Sequence, residues 1–310
     1  MSLDNDIIEK KVYETYAQIA TESTMVRNVK EAVKILEKNY KLIINEDIVR
    51  LVYASFLNGR PVLFEGPPGT GKTEIGEALL ELWSGKKGFL LPCSENYDEY
   101  KVIGDFHPLM AMKIGFTEES FVPRILLAAM ILDVGVLVDE IRRSSDEFQN
   151  LLLDIIDKRR IVVPELKRVF KSKGSGFQVI LTSNPEDVAQ NELSDAFLRR
   201  VIRIKFDYPD IETERKIIKI RSFDKPLVSE ELINLVLKTI NKLRKSNLLH
   251  KPGTDESVSW VKLAQSIAKL ENEDVVKIKH IKEAATSLLS KRQEDEELIT
   301  SVINDVFSEY

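Results

Sequence analysis

The chain has 310 residues, 43% of them hydrophobic, and its 45 basic and 50 acidic side chains leave a formal net charge of -5. This length and apolar content suit about two domains with a sizeable core, and the acidic balance weighs against a general binder of phosphate backbones. One cysteine, Cys93, excludes internal disulfides, and three scattered histidines, His107, His250 and His280, leave no zinc site built on local spacing. A reducing, cytoplasmic setting fits best. No apolar leader follows Met1, and the most hydrophobic run, "ILLAAMILDVGVLV" from Ile125, is too short to span a bilayer and contains Asp133.

Residues Asn5 to Asn39 are charged and amphipathic, with Val29, Val33, Ile35 and Leu36 suggesting helix, and read as an N-terminal helical extension over 1–44. "NEDIVRLVYASFLNG" follows as a helix that Asn45 caps, Glu46 and Asp47 open and Gly59 stops. Strand-like runs then alternate with helical ones: "PVLFE", "GFLLPC", "VGVLVDE", "FQVILTSN" and "VIRIKFD". Such alternation predicts a largely parallel sheet with helices on both faces, an α/β core over 45–210. From Ile211 the strands end. "IETERKIIKIRSF", "SEELINLVLKTINKLRKSN", "SVSWVKLAQSIAKL" and "VKIKHIKEAATSLLSKR" carry a helical period and predict an all-helical domain over 211–310.

The chemistry concentrates in "RPVLFEGPPGTGKTEIGEALLELW", where a strand run leads into a glycine-rich octet and then into Ile75, Leu79, Leu82 and Trp83 at helical spacing. Gly66, Gly71, Lys72 and Thr73 fit G-x-x-x-x-G-K-[ST]: the glycines let backbone N–H groups surround a phosphate, the lysine reaches the β- and γ-phosphates, and the hydroxyl suits Mg²⁺. A helix N-terminus adds a positive field. The expected nucleotide-binding set is Gly66, Pro68, Gly69, Thr70, Gly71, Lys72, Thr73 and Glu74, with ATP and Mg²⁺ as ligands.

"VGVLVDE" ends a buried-type strand on two carboxylates, one for the metal side, Asp139 beside Thr73, and one to polarise an attacking water, Glu140. "VILTSNP" offers Asn184 to the γ-phosphate or the water. In "LSDAFLRRV", Arg199 and Arg200 are guanidiniums suited to phosphate recognition.

Taken in order, "GPPGTGKT", "VLVDEIRRSSDEFQNLLLDIIDKRRIVVPE", "VILTSNP" and "LSDAFLRRVIRIKFDYPD" resemble an AAA+ ATPase of the MoxR family. "FVPRILLAAMILDVGVLVDEIRRS" is similar to the segment leading into that family's D-E-I-N-R-A box, with Arg142 in place of Asn and Arg143 keeping the arginine. "LLPCSENYDEYKVIG", "ELSDAFLRRV" and "LLHKPGTDESVSWVKLA" look most like the branch that includes the ATPase for carbon monoxide dehydrogenase maturation. The resemblance spans Ile44 to Ala268. It implies a P-loop NTPase (AAA+) parallel-sheet core with a helical lid domain, and a homo-oligomeric, hexameric ring with ATP between subunits. It aligns Arg200 with the family's arginine finger, with Arg199 as the second candidate. It reads "DFHPLMAMKIGFTEES" as an insert and "RRIVVPELKRVFKSKGSGF" as a β-hairpin, both usually facing the pore or a partner. It puts Lys262 where many relatives have a γ-phosphate-sensing arginine; a lysine lacks the guanidinium fork, so an exposed residue is an equal reading.

The resemblance further implies an ATP-driven machine that remodels, assembles or activates a protein complex, with a von Willebrand factor A-domain protein as partner. Three other readings stand beside it: a nucleic-acid motor or loader, a P-loop enzyme acting on a small molecule, and a gas-vesicle ATPase, to which "TSNPED" points. The basic cluster Lys167, Arg168, Lys171 and Lys173 is a solvated loop face or a contact for an acidic partner.

Overall fold

The computed structural model describes residues 6–185, 191–290 and 293–308, and two units separate within it. The first holds residues up to Tyr40 with Ile44–Gly66 and Lys72–Phe206. It runs α1 (Ile7–Tyr16), α2 (Val29–Asn39), α3 (Glu46–Leu57), β1 (Val62–Glu65), α4 (Lys72–Ser84), β2 (Phe89–Pro92), α5 (Glu99–Val102), β3 (Gly104–Phe106), α6 (Pro108–Ile114), β4 (Phe121–Pro123) and α7 (Ile125–Leu132). It continues through β5 (Val136–Asp139), α8 (Asp146–Lys158), β6 (Arg160–Val163), β7 (Arg168–Lys171), β8 (Val179–Ser183), α9 (Asp195–Leu198) and β9 (Ile202–Lys205). The second holds Lys41–Ile43, Pro67–Gly71 and the chain from Asp207 onward, with α10 (Ile211–Arg221), α11 (Glu230–Lys245), α12 (Thr254–Leu270), α13 (Ile278–Leu289) and α14 (Gln293–Ser308).

Each of the five strand-like runs in the sequence supplies one strand of a parallel sheet in the order β2-β5-β8-β1-β9. The inner strands β1, β5 and β8 are mostly apolar because they are buried on both faces, whereas the edge strands β2 and β9 alternate buried and exposed residues. Register aligns Glu65 with Ser183 and Pro92 with Asp139, so the carboxyl ends of four strands finish close to level. That edge is where α/β sheets of this kind bind ligands. Helix α4 packs tightly on one face. A Cβ added at Gly76 would stand 2.6 Å from Leu137 Cδ1 and 3.6 Å from Phe64, so the helix axis approaches the sheet as closely as glycine permits. The other face carries a larger core, in which Leu63, Val138 and Leu181 meet α7 and α8 through Leu127, Met130, Phe148 and Leu152.

The Asn5–Asn39 pattern breaks into two helices, with 17–28 outside either. The reason is a competing set of partners: the N–H groups of Ser23 and Val26 bond the carbonyls of Gly85 and Leu82, and Tyr53 Oη donates to Val26 O at 2.8 Å. Helix α1 is then held by charge and backbone. Asp6 caps it by accepting from the N–H groups of Ile8 and Glu9, and Lys11 Nζ donates to the carbonyls of Glu118, Glu119 and Phe121. Arg168 pairs with both Asp6 and Glu118. The insert is an antiparallel pair, β3 with β4, enclosing α6; the hairpin is β6 with β7.

In the helical unit Trp260 is fully buried, stacks on Phe307 and donates Nε1–H to Ile281 O at 2.8 Å. A buried carboxylate ties α10 to α11 and α12: Glu214 accepts from Arg244 Nη1 and Nη2, both at 2.8 Å, and from Ser257 Oγ at 2.7 Å. Among the described residues no helix is long and apolar enough to cross a membrane.

Candidate nucleotide site

The octet begins where β1 ends. Gly66 has φ +157°, and a Cβ there would lie 2.0 Å from Phe206 O, so only glycine lets the chain leave the sheet beside β9. Gly71, at φ +83°, turns the loop into α4. Lys72, 8% exposed at the first residue of α4, donates Nζ–H to Gly66 O at 2.9 Å, so the ammonium folds back over the start of its own loop. The intervening Pro67–Gly71 groups with the helical unit: Thr70 Oγ1 donates to Pro67 O at 3.0 Å, and Gly69 O accepts from the N–H groups of Thr254 and Asp255 that open α12. Pro68 and Gly69 lie in that stretch, and Glu74 lies in the first turn of α4.

Next to Lys72, Thr73 Oγ1 donates to Asp139 Oδ1 at 2.8 Å. A second hydroxyl, Thr182 Oγ1, donates to the same oxygen at 2.6 Å and accepts from Glu140 N at 2.9 Å. One β8 threonine thus fixes both the Asp139 carboxylate and the Glu140 backbone. Glu140 is in the left-handed region (φ 55°), turning the chain from β5 into the short 3₁₀ turn Ile141–Arg143, and Arg143 Nε pairs with its Oε2 at 2.6 Å. Thr73 and Asp139 supply hard oxygens of the kind that bind Mg²⁺. The field around them is acidic: Glu77 is pushed up from the usual carboxylate range, chiefly by burial and then by the charges of Asp139, Glu74 and Glu81, with Lys87 opposing. A divalent cation would offset that repulsion.

Asn184 follows directly on β8, whose last residue, Ser183, is paired in register with Glu65. Arg199 and Arg200 stand elsewhere, after α9 and exposed; Arg200 Nε meets Asp157 Oδ2 at 2.6 Å and its Nη1 donates to Ala196 O. Among the described residues no contact joins either arginine to Thr73, Asp139 or Glu140 of the same chain. Lys262 belongs to the helical unit, with its ammonium 5.7 Å from the Phe223 ring centroid. The residues Glu186 and Asp187 of "TSNPED" lie outside the described residues. Cys93 is buried and its thiol is pushed up to about 12, by burial first and then by Asp139 and Glu140, which disfavours the thiolate.

Two members of this arrangement, Thr182 and Glu65, carry no motif in the sequence. Thr182 was read only as part of an apolar strand, although a hydroxyl inside a buried run needs a partner. Glu65 was read as a strand end, although it is 3% exposed and ion-paired to Arg203. A third group, Glu271, Glu273 and His280, brings possible ligand atoms within 4.8 Å of one another in the helical unit, but Lys277 and Lys279 already pair with its carboxylates.

A phosphate-type loop between strand and helix and a strand-end Asp-Glu pair lie at one edge of a parallel sheet in the order β2-β5-β8-β1-β9, an α/β core of the P-loop type. Residues 61–201 match the AAA domain (dynein-related subfamily). The chain is similar to an uncharacterised protein of Staphylococcus epidermidis, 26% identical over 259 residues, which are 82% of this chain and 92% of that one. It is 27% identical to the gas vesicle ATPase GvpN of Ancylobacter aquaticus over 196 residues, 58% of this chain and 55% of that protein. A solved structure of a candidate ATPase from Cytophaga hutchinsonii aligns over 100% of this chain and 99% of its own at 18% identity, with a TM-score of 0.43.

Proposed function

We propose that the protein is a Mg²⁺-dependent ATPase of the MoxR-like AAA+ kind, and that it spends hydrolysis on remodelling or assembling another protein complex. The observation that carries the ATPase reading is the Thr73–Asp139–Thr182–Glu140 linkage, which joins the phosphate loop, the acidic strand end and the neighbouring strand within hydrogen-bond distance. Mg²⁺, when bound, would supply neutralisation of the charge that develops on the phosphates. Thr73 and Asp139 hold the metal side. Lys72 releases Gly66 O to meet phosphate oxygens, and Glu140, on parting from Arg143, orients water and accepts its proton. Asn184, at the end of β8, orients the γ-phosphate or the water.

Arg200, with Arg199 beside it, acts on the ATP of a neighbouring copy in a ring, by family pattern a hexamer. Its exposure and its pairing with Asp157 rather than with the acidic pair of its own chain support that assignment. Similarity to a gas vesicle ATPase supports the ATPase part of this reading. A von Willebrand factor A-domain protein is the partner class implied by the MoxR resemblance, the carbon monoxide dehydrogenase branch is the finer placement, and the cytoplasm is the setting. The nucleic-acid motor reading loses ground, because two of the four hairpin cations are already engaged, Arg168 with Asp6 and Glu118 and Lys173 with Glu9.

The test is phosphate release from ATP by the purified chain, with and without Mg²⁺, compared with Lys72→Ala. Metal-dependent release that vanishes in the variant together with nucleotide binding supports the reading; tight ATP binding by Lys72→Ala removes the phosphate-loop assignment. Capturing what co-purifies with Glu140→Gln in its ATP state then names the client.

A further inference from the structure

A carboxylate buried at the end of a central strand is strongly disfavoured unless cations and donors surround it. Glu65, one residue before Gly66, is such a group, and its two oxygens fare differently. Oε2 accepts from Arg203 Nε at 2.7 Å and also meets Nη2 at 2.7 Å. Oε1 is buried with no hydrogen-bond partner among the described residues and lies 3.7 Å from Arg142 Nη2, beyond hydrogen-bond reach.

Arg142 is held at two other points. Its Nε donates to Ser183 Oγ at 2.8 Å, next to Asn184. Its carbonyl accepts from Asn191 N at 3.0 Å, and the Asn191 side chain donates to Ser144 O at 3.0 Å, so Asn191 binds two carbonyls in and just after the turn that follows Glu140. From Asn191 the chain runs through α9 to Arg199 and Arg200. One residue therefore links the ends of β1 and β8, which its guanidinium faces, to the segment that leads to the two exposed arginines, which its carbonyl binds. The resembling box has Asn here, which is shorter and uncharged, and could not serve Ser183 and face Glu65 together.

We propose that Arg142 is a positioning residue that couples occupancy of the phosphate loop to the segment 191–200, by closing the 3.7 Å gap to Glu65 Oε1 when nucleotide binds. This rests on the ATPase reading above. Displacement of Lys72 from Gly66 O shifts the backbone next to Glu65, and a charge-assisted hydrogen bond to Arg142 then satisfies the orphan oxygen. The guanidinium draws on Ser183 at one end, and its backbone draws on Asn191 at the other. A discrete change of partner, rather than a graded strain, is what such coupling needs.

Amide hydrogen exchange of the full chain, with and without Mg²⁺ and a non-hydrolysable ATP analogue, tests this without relying on turnover. In the wild type the analogue should slow exchange about tenfold both at 66–73 and at 191–200. Arg142→Asn should keep the protection at 66–73 and lose it at 191–200. Arg142→Lys, which keeps the charge but not the fork, should retain part of it and serves as the informative variant should the asparagine chain not fold. Protection at 191–200 that is equal in wild type and both variants, or absent from the wild type while 66–73 is protected, overturns the coupling. Absence of protection at 66–73 in the wild type would instead strike the nucleotide site itself. In turnover assays the expected signature is a kcat lowered about tenfold with KM within about twofold.

Discussion

Thr73 donates its hydroxyl to Asp139 across 2.8 Å, although 66 residues separate them in the chain. If that pair is the metal side of the site, Thr73→Ala should bind nucleotide without Mg²⁺ as the wild type does and lose the gain that Mg²⁺ confers, about tenfold in affinity or 1.4 kcal/mol. Nucleotide titrations at zero and millimolar Mg²⁺ measure it. An unchanged metal effect would detach Thr73 from the cation.

Glu140→Gln preserves the shape of the side chain and removes the base. ATP affinity should persist while kcat falls about 10²–10⁴-fold, the usual size of a general-base contribution. Turnover at the wild-type rate would leave Glu140 with the Arg143 pair alone.

Arg200 is tied to Asp157 of its own chain, so any action on a neighbour's ATP requires it to leave that partner. Arg200→Ala should be inactive alone and partly rescued on mixing with Lys72→Ala, each variant supplying what the other lacks. Lack of rescue in rings shown to be mixed points to a role within one chain.

The helical unit should depend sharply on Glu214, which is fully buried against Arg244. Glu214→Ala leaves a guanidinium without its anion and should cost about 3–5 kcal/mol. Denaturant unfolding followed by Trp260 fluorescence in a Trp83→Phe background reports it, and a loss below about 1 kcal/mol would show that water compensates the arginine.

Asp6 gives a pH signature. Burial raises its pKa, but the Arg168 hydrogen bond and charge together with the N–H groups of Glu9 and Ile8 outweigh it, and the net displacement is downward from 3.8. A carboxylate depressed in the folded state contributes stability that is present above pH 3.8 and lost as pH falls through the lower folded value. Asp6→Asn should therefore flatten the acid limb of a stability curve below pH 3.8 and cost about 1 kcal/mol or less near neutrality, the range for a part-exposed pair. An unaltered acid limb would place the sensitivity in other carboxylates.

The sheet was legible because its inner strands are short, largely apolar runs, as burial on both faces demands, and its edge strands alternate apolar and exposed residues. Asn45 and Gly59 were legible for local reasons: the Asn45 side chain accepts from Asp47 N, and Gly59 takes φ 63°. The octet announced itself through its glycines. What stayed hidden is non-local. Nothing in the spacing of Asp6, Glu118 and Arg168 shows that they meet, and the basic hairpin looked like a free face until two of its cations were seen to be used. Thr182 and Glu65 were invisible for a different reason, since a lone polar residue in an apolar run gives no hint of which distant group it serves.

Glu140 sits where the backbone has turned left-handed, a conformation that disfavours a side-chain-bearing residue by about 1–2 kcal/mol and that glycine adopts freely. Selection for folding alone would place glycine or asparagine there, and either would forfeit a carboxylate at the end of β5. On the proposed reading, stability and chemistry ask for different residues at one position. A search for more heat-resistant variants of this protein should therefore keep returning to position 140 and discarding its activity each time.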